Sequence, residues 1–394
     1  MTVILNGMRK VKLKDVCDRI TVGHVGPMAD KYTTGGVPFL RSQNIMPFRL
    51  NLDEVKFIPP DFHESLRKSS LRPGDVAVVR TGYPGTACVI PNSFSELNCA
   101  DLVVITPSKE LNPYFLAAIF NSAWGIASVA GNLVGVAQQH FNVGAARELE
   151  VSLPNRPIQD RIADILSAYD ELIENNLRRI HILEDMARSL YREWFVHFCY
   201  PDHESVPLVD SSLGQIPQGW QVKSVKEILA RRPAGSVYRD ADVKPEGDVP
   251  VIDQSTNELL GFHGNAPDHQ ASSVSPMAIF GDHTCKMQLL IEPFSVGPNV
   301  VPFTANNEMP TSYVFYAVNS LVHTQEYKRH WIPLTAKEVV VADHATAQRF
   351  ASLIQPMLIT QETYRKAIRN LRRTRDQLLP RLLSGQINLV DADL

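Results

Sequence analysis

Residues 158–194 read IQDRIADILSAYDELIENNLRRIHILEDMARSLYREW, and their apolar side chains recur at the a and d positions of a heptad. The seam runs through Ile162, Leu166, Tyr169, Ile173, Asn176, Ile180, Leu183, Ala187, Leu190 and Trp194. Residues 350–382, FASLIQPMLITQETYRKAIRNLRRTRDQLLPRL, carry a second seam. It comprises Phe350, Ile354, Met357, Gln361, Tyr364, Ile368, Leu371, Arg375, Leu378 and Leu382. A bundle-core helix would show a wider apolar stripe, so a seam this narrow and sustained predicts two long helices in a coiled coil. Asn176 and Gln361 are polar seam residues of the kind that fix register at a cost in stability.

Charge suggests the direction of pairing. The first helix starts acidic, with Asp160, Asp164, Asp170, Glu171 and Glu174 against Arg161. The second ends basic, with Arg365, Lys366, Arg369, Arg372, Arg373, Arg375 and Arg381 against Asp376. Antiparallel pairing sets these ends against each other, as a bias in orientation rather than a source of stability. The alternative is that both faces are simply solvated. Paired helices of roughly 37 residues would span about 55 Å, like the bar of a caliper. DNA repeats about every 34 Å, so globular heads at the two ends could reach groove segments one turn apart.

Outward from the helices, the chain repeats itself. Gly36-Val37-Pro38-Phe39-Leu40 resembles Asp248-Val249-Pro250-Val251-Ile252, 212 positions on. Arg161-Ile162-Ala163 to Leu166 resembles Arg349-Phe350-Ala351 to Ile354, 188 positions on. The shrinking interval means that the second copy has lost residues between these points. Each copy is a globular unit followed by one long helix. Residues 74–80, 101–105, 277–281 and 339–341 read as short strands, and Pro113 to Ala130 reads as a helix. The fold class expected is α/β (mixed α+β), with an internal pseudo-twofold repeat. The segments are 8–154 (first globular domain), 155–200 (first long helix), 201–343 (linker and second domain) and 344–387 (second long helix).

The 394 residues are 44% hydrophobic, enough for packed cores. The formal net charge of −3 argues against a stand-alone tight DNA binder, since phosphate neutralisation supplies much of that affinity. It fits a chain that shares its grip on DNA with partners. The five cysteines, Cys17, Cys88, Cys99, Cys199 and Cys285, form no Cys-x-x-Cys pair, which suits a cytoplasmic protein without a disulfide framework. The N-terminal residues are too polar for a signal peptide. Leu111 to Ala146 contains no charged residue, but Asn121-Ser122, Gly131-Asn132 and Gln138-Gln139-His140 interrupt it. It reads as buried globular structure rather than a membrane span.

Several segments together resemble the specificity (S) subunits of type I restriction-modification systems. They are Leu71-Arg72-Pro73-Gly74-Asp75-Val76 with Thr81-Gly82-Tyr83-Pro84-Gly85, and Gly135-Val136-Ala137-Gln138-Gln139-His140-Phe141-Asn142. The helix entry from Leu149 to Ala163, the exit Glu193-Trp194-Phe195-Val196-His197-Phe198, Gly214-Gln215-Ile216-Pro217-Gln218-Gly219-Trp220, and the ending Leu378-Leu379-Pro380-Arg381-Leu382-Leu383-Ser384-Gly385 complete the series. The second copy departs from the pattern: it lacks a clear Gly…Gln turn before Val339, and Asp343-His344-Ala345-Thr346 lacks the proline-led entry. The resemblance implies two target-recognition domains reading a split site in double-stranded DNA, with the helices as spacer. It also implies two methyltransferase subunits and restriction (motor and nuclease) subunits as partners. S-adenosylmethionine, ATP and magnesium are then expected on those partners, with no cofactor on this chain. A related methyltransferase-associated scaffold of another phage-defence system is an alternative. So is a nuclease or methyltransferase with an unfamiliar site.

No Asn/Asp-Pro-Pro-Tyr/Phe tetrapeptide, Gly-x-Gly-x-x-Gly, phosphate-loop or His-Glu-x-x-His motif occurs, so a non-catalytic subunit is expected. His197, Cys199, Asp202 and His203 have no familiar ligand spacing and read as packing and loop residues. Asp282-His283 beside Cys285 lacks an orienting partner. Base readout favours Arg, Lys, Asn and Gln, with Thr and Tyr assisting at phosphates. The candidates are Arg41, Gln43, Asn44, Arg80, Thr81, Tyr83, Gln138 and Gln139 in the first unit. In the second they are Gln254, Asn257, His283 and Lys286. Each could equally be an ordinary polar loop residue.

Overall fold

A computed structural model describes residues 8–133, 140–255, 259–306, 308–324, 328–387 and 389. The chain divides into two compact units, residues 1–175 with 368–394, and residues 176–367. The division cuts across both long helices. Each unit therefore owns a globular part and a portion of each helix.

In the first unit a four-stranded antiparallel sheet runs in the order Cys17–Val22, Leu102–Pro107, Val76–Val79, Ala87–Val89. Its central strands are apolar on both faces, and alternation sorts their side chains. Val76, Val78, Val103 and Ile105 join the core with the helix Pro113–Asn121. Ala77, Val79, Leu102 and Val104 join a second cluster with Leu40, Ile45 and Leu71. A small sheet orders Lys56–Ile58, Val37–Leu40 and Asn98–Cys99, the last two strands parallel. Arg9–Lys12 pairs with Glu150–Leu153, the strand that leads into the first long helix.

The second unit follows the same plan. Leu229–Arg231, Val300–Ala305, Met277–Gly281 and Met287–Leu290 form the four-stranded sheet. Leu259–His263, Val249–Ile252 and Ser295–Val296 form the small one, again with one parallel pairing. Gln221–Ser224 pairs with Glu338–Val341 ahead of the second long helix. Among the described residues the second unit has nothing corresponding to the helix Ala123–Ala130, which is one place where the repeat interval shortens.

The helix expected from Pro113 to Ala130 is instead two, Pro113–Asn121 and Ala123–Ala130, bent by 71°. Ser122 causes the break. Its backbone is extended, its Oγ accepts from the Gly125 N–H at 3.0 Å, and its hydroxyl donates to the Ile119 carbonyl at 2.6 Å. Among the described residues no single helix is long and apolar enough to cross a membrane. Of this bent pair, Phe115 to Phe120 are buried in the core.

The long helices are Arg156–Tyr191, prolonged by a wider turn over Arg192–Val196, and His344–Leu383. Every seam position named above is buried or half-buried. Leu172, Ile182 and Met186, off the seam, are about half exposed. In the first unit Ile162, Leu166, Leu379 and Leu382 share one core with the sheet and its helices. There Arg375 Nη1 bonds Asp170 Oδ1 at 2.5 Å. In the second unit Arg365 Nη2 bonds Glu184 Oε1 at 3.1 Å.

The two helix entries differ. Gln159 is buried at the first: its Nε2 donates to the carbonyls of Glu110 (3.0 Å) and Pro154 (2.9 Å), and its Oε1 accepts from the Asn112 N–H (2.9 Å). At the second, Asp343 accepts from the Thr346 N–H (2.9 Å) and from Trp220 Nε1 (3.2 Å). An acidic cap thus does the work there without a proline-led entry.

Candidate nucleic-acid interface

In the first unit three loops gather where strands Val37–Leu40 and Val76–Val79 end. Ala100 donates its N–H to the Leu40 carbonyl at 2.9 Å, and Asp101 donates to the His24 carbonyl at 3.1 Å. Asp101 has φ +50°, a left-handed conformation that Asp tolerates better than most residues. Its carboxylate accepts from Arg80 Nη1 at 2.7 Å and from the Thr81 hydroxyl at 3.1 Å. Arg80 also donates through Nε to the Phe141 carbonyl at 3.1 Å. Arg80 and Thr81 therefore brace the loop. Tyr83 stands out from it, 85% exposed, between Gly82 (φ +84°) and Gly85 (φ +95°).

The Arg41–Asn44 segment divides by role. Gln43 is exposed. Asn44 is fully buried, taking the Arg41 N–H at 3.0 Å and donating to the Asn51 carbonyl at 2.9 Å. Asn44 is thereby corrected from a base-reading candidate to a residue that folds the loop, because its amide has no edge facing solvent. Arg41 donates through Nη2 to the Glu54 carbonyl at 2.8 Å, while its buried Nε has no partner. Gln138 and Gln139 lie outside the described residues, as does Asn257 in the second unit.

The second unit brings its other candidates together at the matching strand ends. Gln254 Oε1 accepts from the His283 N–H at 3.1 Å, and the Gln254 carbonyl accepts from the Thr284 hydroxyl at 2.6 Å. Lys286 Nζ donates to the Asp253 carbonyl at 2.8 Å. Gly281 permits this approach: a Cβ there would sit 2.9 Å from that of Gln254. Asn299, at φ +59° ahead of Val300–Ala305, holds the place that Asp101 holds ahead of Leu102–Pro107. Sequence reading missed Asp101 as the organiser of the first loop end and the matching place of Asn299. The available signal was an Asp or Asn immediately before an apolar strand.

Little here suits covalent chemistry. Asp282 Oδ1 accepts the N–H groups of His330 (3.0 Å) and Trp331 (2.9 Å), so its role is to fold the chain. Burial pushes the Cys17 and Cys88 thiols up to about 12 and raises those of Cys99 and Cys285, the opposite of what a nucleophilic thiolate needs. His203 Nδ1 lies 2.7 Å from the Tyr200 carbonyl. Among the described residues no group of three or more His, Cys, Asp or Glu could hold a metal ion.

Two units of one strand plan, each ending in a polar loop cluster and sharing two long seamed helices, can be set beside known proteins. Residues 6–184 match the model of the type I restriction modification DNA specificity domain. The chain is 25% identical over 267 residues to the MjaIX specificity subunit of a type I restriction enzyme from Methanocaldococcus jannaschii, covering 62% of each chain. It is 24% identical over 341 residues to the MjaX specificity subunit of the same organism, covering 80% of this chain and 76% of that one. Its first part is thus similar to the type I specificity domain, and the chain to specificity subunits of type I restriction enzymes. The match spans 62% of the length of the MjaIX subunit. The S subunit of a type I system from M. genitalium shares the fold, with TM-score 0.55 and 16% identity over 97% of this chain and 98% of that one.

Proposed function

We propose that this chain is the DNA-sequence-specificity subunit of a type I restriction-modification complex, with no catalytic centre of its own. One observation carries the reading: the same strand plan occurs twice, each copy has its own polar loop end, and each is built onto portions of the same two helices. On this reading residues 8–154 and 201–343 are target-recognition domains for the two halves of a split site in double-stranded DNA. Residues 155–200 and 344–387 form an antiparallel coiled coil that separates them with pseudo-twofold symmetry. The Arg375–Asp170 and Arg365–Glu184 bonds support that direction of pairing, each within its own unit. Arg41, Gln43, Tyr83, Gln254, His283 and Lys286 lie at or beside the reading loops. Arg80 and Thr81 hold a loop in shape.

Two methyltransferase subunits would dock on the helices, and restriction subunits would join them. S-adenosylmethionine, ATP and magnesium would act on those partners, in the cytoplasm. The test is to replace residues 8–154 with the corresponding segment of a relative, co-express the methyltransferase, and map methylated sites across a genome. One half of the recognised sequence should change and the other should stay. A change in both halves would overturn the two-reader arrangement.

A further inference from the structure

Arg375 occupies a seam position of the second helix, yet its charged side chain is only 11% exposed. Its Nη1 bonds Asp170 on the first helix, and its Nε and Nη2 bond Asp376 Oδ1 at 3.0 and 2.9 Å. Its guanidinium also lies over the ring of Phe48, 4.7 Å from the centroid. Phe48 belongs to the globular part of the unit, at the tip of the hairpin formed by Ile45–Met46 and Arg49–Leu50. It is held at φ +66° and donates its N–H to the Ala87 carbonyl at 2.9 Å. Next to it, Arg49 pairs with Glu174 of the first helix at 3.3 Å.

The second unit shows that the seam does not require these charges. At the 188-position interval of the repeat, Asp170 corresponds to Leu358 and Arg375 to Ala187, and both lie in the apolar core of the second unit. A buried ion pair replaced by apolar groups often costs no stability, so the pair in the first unit calls for another reason. A guanidinium is a planar fork whose bonds are directional, whereas apolar contacts can slide. Packing alone leaves room for sliding here. A cleft of about 800 Å³ surrounds the hairpin, lined among others by Leu52, Phe94, Tyr114 and Ile173.

We infer that Arg375, Asp170 and Phe48 form a latch that fixes the first recognition domain at one angle on the helices, making them positioning residues for the gap between half-sites. This rests on the reading given under Proposed function. The test gives the first unit the residues of the second, Asp170→Leu with Arg375→Ala, in the full chain co-expressed with its methyltransferase, followed by genome-wide mapping of methylation. Both half-site sequences should persist, while sites with a gap about one base pair longer or shorter gain methylation relative to wild type. An assembled, active complex with an unchanged gap distribution overturns the latch. Should the double variant not fold, Phe48→Leu keeps the apolar burial and removes the ring beneath the guanidinium. The same relaxation is then expected, and an unchanged gap counts against the latch equally. Absence of any bipartite methylated site with the wild-type chain would instead sink the functional reading itself.

Discussion

The first unit meets its helix segments through aliphatic side chains and a charged pair; the second meets its own through rings. Ile162, Leu166, Leu379 and Leu382 carry the contact in the first, with Arg375 over Phe48. In the second, Phe195 lies within ring-contact distance of Tyr191, Trp194, Trp220, Tyr313 and Phe350. One strand plan thus tolerates two kinds of joint. Aromatic rings add large buried area and oriented contacts, while the guanidinium supplies directional bonds. The difference teaches that the sheet and the joint can vary separately.

The largest expected effect probes the ring joint. Phe195→Ala should cost about 3–5 kcal/mol, as for other buried Phe truncations. Hydrogen exchange should show the loss in residues 176–367 while amides of the first sheet stay protected. Equal loss in both units would mean that they unfold together, and the comparison would break.

A smaller effect tests a feature of the first unit alone. At Gly125 an added Cβ would sit 2.0 Å from the Ile119 carbonyl oxygen, at the bend between two helices. Gly125→Ala should destabilise the first unit by about 1–3 kcal/mol, the usual range for overpacking, read by urea unfolding. A neutral result would show that the bend relaxes freely.

The smallest effect sharpens the comparison at the loop ends. Tyr83→Ala removes a side chain that is 85% exposed, so melting should not change. DNA binding by the complex should weaken by about 0.5–1.5 kcal/mol, the net worth of one hydrogen bond. Binding equal to wild type in a titration would remove Tyr83 from the interface.

The seams were readable from sequence because periodicity is local: each turn of helix repeats the same requirement, and even Arg375 and Gln361 were visible as seam positions. The central strands were readable for the same reason. What escaped depends on partners far along the chain. Nothing near Asp101 announces that Arg80 and Thr81 will bond it, and nothing near Phe48 announces Arg375. Asn44 has the chemistry of a base reader, but only the fold decides which side of a loop a side chain takes. The break at Ser122 was hidden because the apolar composition continues through it.

The second unit is one continuous stretch of chain, whereas the first is completed by residues 368–389, including Leu379, Leu382 and Leu389 of its core. Synthesis runs from the N-terminus, and domains generally fold as units while it proceeds. The unit whose strands emerge first is therefore the last to close. Until the end of the second helix arrives, Ile162 and Leu166 lack part of their cover, and the ribosome holds a chain whose later half can already be native.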